Sequence, residues 1–311
     1  MSSRKIVVTG AAGLVGQNLI PRLEQRNFGE IVAIDKHPTN TETLRRLHPN
    51  LRVIHADLSQ RGPWQDEFAG CTHLMNGHAQ IGGIYTADYI RNNVTATERV
   101  IEAAVRNNVS YAVNISSSAV TSAAHDDYTE TKKSQEKVVR ESGIKQIVLR
   151  PALMFGLFDR KHVGWLARFM QRTPIFPVPG SGRYIRQPLY AGDFCNIIVS
   201  ALENETTGTY PITGVEQIDY IDLMRLVNKT IGSPSRVVRV PYSVFWGLLK
   251  LYAVFNKNPA FTTRQLEALV TPDVFDLIDW PGIFGVRPTP LQDALNITFC
   301  DPTYSKVVLD F

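Results

Sequence analysis

The sequence predicts an α/β chain: a Rossmann-type, doubly wound parallel sheet with a smaller, mostly helical C-terminal lobe. Three features carry this expectation. Short β-rich runs alternate with longer amphipathic segments through the first half, a glycine-rich turn joins the first run to the first such segment, and proline and glycine accumulate after Arg150-Pro151. We therefore divide the chain into residues 1–150, the sheet domain, and 151–311, mainly a pocket-shaping lobe with segments returning to the sheet. Its 311 residues accommodate both, at roughly 150 residues per domain.

Lys5–Thr9, Ile31–Asp35, Leu51–His55, Thr72–Met75, Tyr111–Ile115 and Gln146–Leu149 read as six strands buried on both faces, as in parallel sheets. Between them, Leu14–Gln25, Ala87–Asn107 and Tyr128–Ser142 carry apolar residues at the three- and four-residue steps of a helix. Such β-α-β repetition is the pattern of a doubly wound sheet. The prolines and glycines between Thr173 and Gly182 mark loops that shape a pocket. Asp193–Leu202, Asp219–Ile231, Tyr242–Phe255 and Thr262–Val270 read as helices of the second lobe, with a strand at Arg236–Val240.

Charged residues at 20% and hydrophobic ones at 44% exclude wholesale disorder. A net charge of +4, with the basic residues in no blocks, gives no nucleic-acid footprint. Cys71, Cys195 and Cys300 lie far apart with no CxxC pair, which predicts neither a disulfide framework nor a thiolate metal site and suits a reducing, cytoplasmic setting. Met1 to Lys5 lead straight into a strand without the pattern of a signal peptide. The longest apolar stretch, Val240–Phe255, is shorter than the roughly 20 residues of a spanning helix and is interrupted by Pro241 and Lys250. The seven histidines include no HExxH pair and no nucleophile elbow occurs, so neither a metalloenzyme nor a hydrolase is expected.

Gly10-Ala-Ala-Gly13-Leu14-Val15-Gly16 follows the first strand and opens the first helix. Glycines there permit a tight turn and close backbone approach, so a pyrophosphate can rest on free amides and the positive end of the helix dipole. A purely structural turn is the alternative, since the spacing departs from GxGxxG. Asp35 at the end of the second strand supports the first reading, because a carboxylate there accepts hydrogen bonds from ribose hydroxyls. Its charge would oppose the extra phosphate of NADP, which favours NAD, although Lys36 and His37 stand beside it. Asp57-Leu58 falls beside the adenine position, with an ordinary helix cap as the alternative for Asp57.

Tyr128 and Lys132, four residues apart, share one helical face. A phenol with a reference pKa near 10 becomes a useful base beside a cation. Ser116-Ser117-Ser118 ends the fifth strand, at the carboxyl edge where open parallel sheets bind ligands. A hydroxyl there can hydrogen-bond a substrate oxygen, or the serines form a turn.

Together these motifs, with Asn93-Val94, Arg150-Pro151 to Phe155-Gly156, and Arg186 with Asp193, resemble the extended short-chain dehydrogenase/reductase superfamily, in particular its NAD-dependent sugar-nucleotide epimerase/dehydratase group. The tail, Phe284 to Leu295, is similar to that family's closing strand and helix. The resemblance implies NAD, with NADP second, bound by the glycine turn, Asp35, Asp57, Leu58, Gly77, His78, Ala79, Asn93, Ser116, Tyr128, Lys132 and backbone near Pro151. It implies Tyr128 as acid/base, with Lys132 holding the nicotinamide ribose and lowering the Tyr128 pKa. Ser117 would polarise the substrate oxygen, Ser118 being the alternative, and Arg186 would contact the diphosphate of a nucleotide sugar. A homodimer through the helices near 87–107 and 128–142 is also implied.

The sequence departs from the group at four places. The loop between Ser117 and Tyr128 is short, His78 replaces a small residue, Leu153 replaces an asparagine used by some epimerases, and Ser118-Ala119 stand where 4,6-dehydratases keep an Asp-Glu pair. Without that acid and base, elimination of water lacks its catalysts. The expectation is an epimerase or oxidoreductase. Its alternatives are a ketone reductase acting on another small substrate and a non-catalytic NAD(P)-binding protein. Tyr242–Phe255 is read as a lid or core helix, with an interfacial helix serving a lipid-linked sugar as the other reading.

Overall fold

The computed structural model describes residues 4–122, 126–255, 263–271 and 277–310. In the first half, β1 (Lys5–Thr9), α1 (Leu14–Gln25), β2 (Glu30–Asp35), α2 (Pro38–Leu47), β3 (Arg52–His55) and β4 (His73–Asn76) are followed by one long helix. That helix runs as α3 (Thr86–Tyr89), a π-helical stretch (Ile90–Thr95) and α4 (Ala96–Arg106). Next come β5 (Tyr111–Ile115), α5 (Asp127–Arg140) and β6 (Lys145–Pro151). All six strands expected from the sequence are present.

The second half holds β7 (Met154–Phe155), α6 (Val163–Arg172), β8 (Ile175–Pro179), β9 (Ile185–Arg186), β10 (Leu189–Tyr190), α7 (Ala191–Asn204) and β11 (Gly208–Ile212). Then follow β12 (Ile218–Asp219), α8 (Tyr220–Thr230), β13 (Arg236–Val240), α9 (Tyr242–Phe255), α10 (Thr263–Val270), α11 (Trp280–Phe284) and α12 (Leu291–Cys300). The start of the expected helix at Thr262 lies outside the described residues.

Seven parallel strands form the central sheet in the order β11-β6-β5-β4-β1-β2-β3. The chain reverses its winding direction between β1 and β4, and a crevice at the carboxyl end of such a switch point is the usual ligand site. One face of the sheet is covered by α1 and α7, the other by α4 and α5 with Trp64 and Phe68. A third core, around Met170, Phe176, Tyr220, Met224 and Leu295, belongs to the smaller lobe.

Three differences from the sequence reading have physical causes. The helix assigned to the second lobe at Asp193–Leu202 is α7, whose fully buried Phe194, Ile197, Ile198 and Leu202 join the sheet core with Leu19 and Leu23 of α1. β11 escaped notice because Gly208 and Pro211 break the strand signature; Pro211 is tolerated because β11 is an edge strand. Phe284 to Pro290 does not form the expected closing strand, since Phe284 ends α11 and Gly285 turns away with φ 62°, whereas the following helix is present as α12.

Beneath the sheet's carboxyl edge, Glu136 of α5 is 5% exposed and accepts from Nε and Nη2 of Arg150, each at 2.8 Å, together with Arg140 and the Ser116 hydroxyl. Burial pushes its carboxyl up, but hydrogen bonds from Arg150 and Ser116 outweigh this and hold it below the ordinary glutamate range. A folded-state pKa below the unfolded one adds stability above the unfolded value, and that stability disappears as pH falls through the folded value. Glu136→Gln is therefore expected to destabilise by about 3 kcal/mol near neutrality, where it strands Arg150. Chemical denaturation across acid pH should show that deficit shrinking below about pH 4.

Candidate active site

A cleft of about 500 Å3 opens at the switch point, lined by the β1–α1 turn, the end of β2, the residues after β3 and β4, and Phe158 to His162 of the second lobe. The turn fits a diphosphate for a local reason. Gly10 has φ +66°, and a Cβ there would lie 2.8 Å from the Gly77 backbone, so only glycine lets β1 and the loop after β4 meet. Gly13 caps α1 with no side-chain hydrogen bond, which leaves the first-turn amides facing outward for an anion.

Asp35 is fixed by two backbone donors, Ala12 N and His37 N, each at 2.9 Å. The neighbouring cations are engaged elsewhere: Lys36 Nζ donates to Asn92 Oδ1 at 2.8 Å, and the His37 ring caps α2 by accepting from Asn40 N. Asp57 Oδ1 accepts from the amide and hydroxyl of Ser59. Burial raises the Asp57 carboxyl, but these bonds and the positive charge of Lys36 and Arg91 bring it below its ordinary value. The chain's last described residues close this end, because Leu309 lines the cleft while Asn40 and Asp310 exchange hydrogen bonds of 2.8 and 3.1 Å. A glycine cradle, outward amides and a fixed carboxylate at the end of β2 are what a dinucleotide requires, so the residues present fit NAD.

Behind the cleft wall runs a buried polar chain. The His78 ring meets Thr9 Oγ1 at 3.0 Å through Nδ1 and Thr97 Oγ1 at 3.1 Å through Nε2. Gln135 Nε2 donates to Thr97 Oγ1 at 2.7 Å, and Gln135 Oε1 accepts from Lys132 Nζ, which also donates to the Ile115 carbonyl at 2.7 Å. Burial drives His78 down to about 3, so it is neutral, and draws the Lys132 amine down to about 7, with Glu136 resisting. Tyr128 shows the opposite direction from the sequence expectation: burial raises its phenol, a hydrogen bond with Ser117 partly opposes this, and the nearby Asp126 and Tyr89 add to the rise. The Lys132 amine faces Ile115 and Gln135 instead.

Of the expected site residues, Gly10, Gly13, Leu14, Val15, Asp35, Asp57, Leu58, Gly77, His78 and Ala79 line the cleft. Tyr128 and Ser117 are brought into hydrogen-bond contact, on α5 and at the end of β5. Ser117 also accepts from Ala119 N, and Ser118 begins a short 3-10 turn. Residues 123–125 of the loop between Ser117 and Tyr128 lie outside the described residues.

Five other residues lie elsewhere. Gly16 packs against Ala11, where a Cβ would come within 2.3 Å of the Ala11 carbonyl oxygen. Ser116 donates to Glu136. Asn93, fully buried, braces Gln80 N at 2.6 Å and Thr131 Oγ1 at 3.0 Å. Pro151 is buried as the last residue of β6. Arg186, 7% exposed, binds the carbonyls of Leu269 and Thr271 at the end of α10 and lies over the Tyr184 ring, away from the cleft.

Sequence reasoning missed Thr9, Thr97 and Gln135, because side chains from three separate elements meet only in the fold. It also missed Phe158 to His162, which follow the change in composition at Pro151. Among the described residues no group of His, Cys, Asp or Glu could hold a metal ion.

The tight approach of Gly10 to Gly77 makes a direct prediction. Gly10→Ala should cost about 2 kcal/mol or more of stability and weaken NAD binding by at least about tenfold, read by thermal denaturation and by calorimetric titration.

Comparison with known proteins agrees with this geometry. Residues 6–213 match the NAD dependent epimerase/dehydratase family. A ketoreductase of Stigmatella aurantiaca, acting on 4-hydroxy-2-methyl-3-oxo-4-farnesyl-3,4-dihydroquinoline-1-oxide, is 24% identical over 256 residues, which are 76% of this chain and 75% of the relative. The low-salt glycan biosynthesis protein Agl12 of Haloferax volcanii is 24% identical over 265 residues, 75% of this chain and 84% of its own. In fold, the chain is similar to UDP-glucuronic acid 4-epimerase from Bacillus cereus in complex with NAD, with a TM-score of 0.72 and 20% identity, covering 95% of this chain and 96% of the other. The family match spans most of the chain and includes the glycine turn, Asp35, Tyr128 and Lys132: this protein belongs to the NAD dependent epimerase/dehydratase family.

Proposed function

We propose that the protein is an NAD-dependent oxidoreductase or epimerase acting on a hydroxyl or keto carbon of a nucleotide-linked sugar. The pairing of Tyr128 with Ser117, one helical turn from buried Lys132 and on the helix whose Gln135 bonds the His78 carbonyl of the cleft wall, carries this reading. NAD supplies a nicotinamide ring that accepts or returns a hydride. Ser117 holds the substrate oxygen, and Tyr128 removes its proton as the carbonyl forms or returns it when the carbonyl is reduced. Lys132 is the residue that would hold the nicotinamide ribose, its amine now donating to the Ile115 carbonyl and to Gln135. Asp35 and the occupied Lys36 and His37 favour NAD over NADP.

A second reading, reduction of an apolar ketone, is supported by two observations. Arg186, the residue expected to grip a diphosphate, is occupied by the end of α10. The stretch Ile81-Gly-Gly-Ile84-Tyr85 is also strongly exposed, with Ile81 lining the cleft mouth. The quinoline-oxide ketoreductase from Stigmatella shows that such substrates occur among the relatives. We also read the chain as a homodimer through the outer surface of α3 to α5, where Ile90 and Val105 are exposed. Sedimentation should give twice the monomer mass, and a monomer at all concentrations would refute the dimer.

Tyr128→Phe should lower turnover roughly a thousandfold while NAD still binds in calorimetry. Full turnover by this variant would remove the mechanism. Because the Tyr128 pKa is raised, the phenol is a proton donor at neutral pH. Carbonyl reduction should therefore keep its proton donor until the phenol ionises above neutrality, whereas alcohol oxidation, which needs the phenolate, should climb toward that pH; a step near pH 7 in either pH–rate profile would belong to Lys132.

A further inference from the structure

We propose that α9 and the basic strand β13 that leads into it form a surface that docks on an anionic lipid bilayer. Of the 14 residues of α9, YSVFWGLLKLYAVF, only Ser243 and Lys250 are strongly polar. A helix apolar on every side is normally covered on every side. This one is not: Phe245 and Leu249 form a half-buried row, while Val244, Leu248 and Leu251 on one flank are 50%, 58% and 56% exposed and Tyr242 and Trp246 on the other are 37% and 39% exposed. At 1.5 Å per residue the helix is about 21 Å long, too short to cross a hydrocarbon core of about 30 Å, so it would lie in the plane of the interface.

The charge of the surrounding chain selects the kind of surface. Residues 223–266 contain seven Lys or Arg and no Asp or Glu, whereas the rest of the chain has 26 Lys and Arg against 29 Asp and Glu; of the seven, Arg225 is paired with Asp222 just before the stretch. Arg236 and Arg239 are exposed on β13, joined to α9 through Pro241, and Lys250 Nζ sits 5.0 Å over the Trp246 ring. An apolar helix with an indole and a phenol, set in a carboxylate-free stretch of cations, matches the headgroup region of an anionic membrane, where aromatic rings settle and each cation adds attraction. A protein partner would need carboxylates facing these cations and an apolar groove; a bilayer supplies both phosphate and hydrocarbon. This inference is independent of the chemistry assigned to the cleft.

The test is co-sedimentation of the full chain with phosphatidylcholine vesicles, with and without phosphatidylglycerol. The protein should pellet with the anionic vesicles and stay in solution with the neutral ones. Binding should fall at about 1 M salt, where the Debye length is about 3 Å. The double variant Trp246→Glu, Leu248→Glu should lose at least about tenfold of vesicle binding, while NAD titration and circular dichroism stay unchanged. Arg236→Ser with Arg239→Ser should weaken binding and flatten its salt dependence. The proposal is overturned if the protein stays in solution with anionic vesicles at low salt, or if both double variants bind like the parent chain. It is equally overturned if the Trp246→Glu, Leu248→Glu variant splits a dimer in sedimentation and vesicles bind neither form, which would assign the helix to a second copy of this chain.

Discussion

The amine of Lys132, 1% exposed in the middle of α5, is the constraint around which the reacting end of the cleft is built. A buried ammonium loses its hydration, and the shift from 10.5 to about 7 corresponds to a cost on the order of 5 kcal/mol for the charged form. Two acceptors offset part of it, the Ile115 carbonyl and Gln135. Gln135 is oriented in turn by Thr97, Thr97 by His78, and His78 by Thr9, so β1, the loop after β4, α4 and α5 are tied to one side chain. His78 serves this chain as a neutral ring. A charged imidazole there would add a second cation beside Lys132, and burial holds it far below neutrality.

The same helix carries the opposite charge one turn further on. Glu136 is buried between Arg150, Arg140 and Ser116, and its field is what resists the loss of charge at Lys132. Thr129, Thr131, Lys132, Gln135 and Glu136 therefore make the buried face of α5 largely polar. A buried polar face is stable only when each group finds its partner. Lys132 and Gln135 do so through the chain to Thr9, Glu136 through Arg150, Arg140 and Ser116, and Thr131 through Asn93 and the Asp127 carbonyl, while the Thr129 hydroxyl has no partner among the described residues; these three sets of bonds fix how α5 sits against the sheet.

Positions that follow from spacing along the chain were legible in the sequence: six strands, the glycine turn, Asp35 at the end of its strand, and Tyr128 with Lys132 one turn apart on α5. Residues whose roles depend on where a side chain is engaged were not. Asn93 and Ser116 occupy their expected places in the chain, yet one braces Gln80 and the other serves Glu136. α2 has almost no apolar stripe and folds because His37 caps it and Leu44 finds the core. α7 and β11 return to the sheet from beyond residue 150, and no local pattern records which of two neighbouring cores a helix joins. Arg186 is the sharpest case, since nothing in its sequence neighbourhood announces that its guanidinium would cap a helix 83 residues away.

The cleft is consequently unequal at its two ends. At the ribose end the polar groups are fixed in advance: Asp35 by two amides, Asp57 by Ser59, Lys36 by Asn92, and Asn40 by Asp310, and Leu309 lines the same cleft. Binding there needs little rearrangement, so it adds affinity without discriminating among substrates. The cleft also takes in Ile81 and Gly82, at the start of an apolar stretch in which Ile81, Ile84 and Tyr85 are strongly exposed. Interactions that form there only with the substrate in place are the ones that separate ground state from transition state. On the function proposed above, a cofactor end fixed in advance joined to an exposed substrate end would let members of one family share a cofactor site while their substrates diverge, which puts this chain's specificity in the stretch from Ile81 to Tyr85 rather than in the glycine turn.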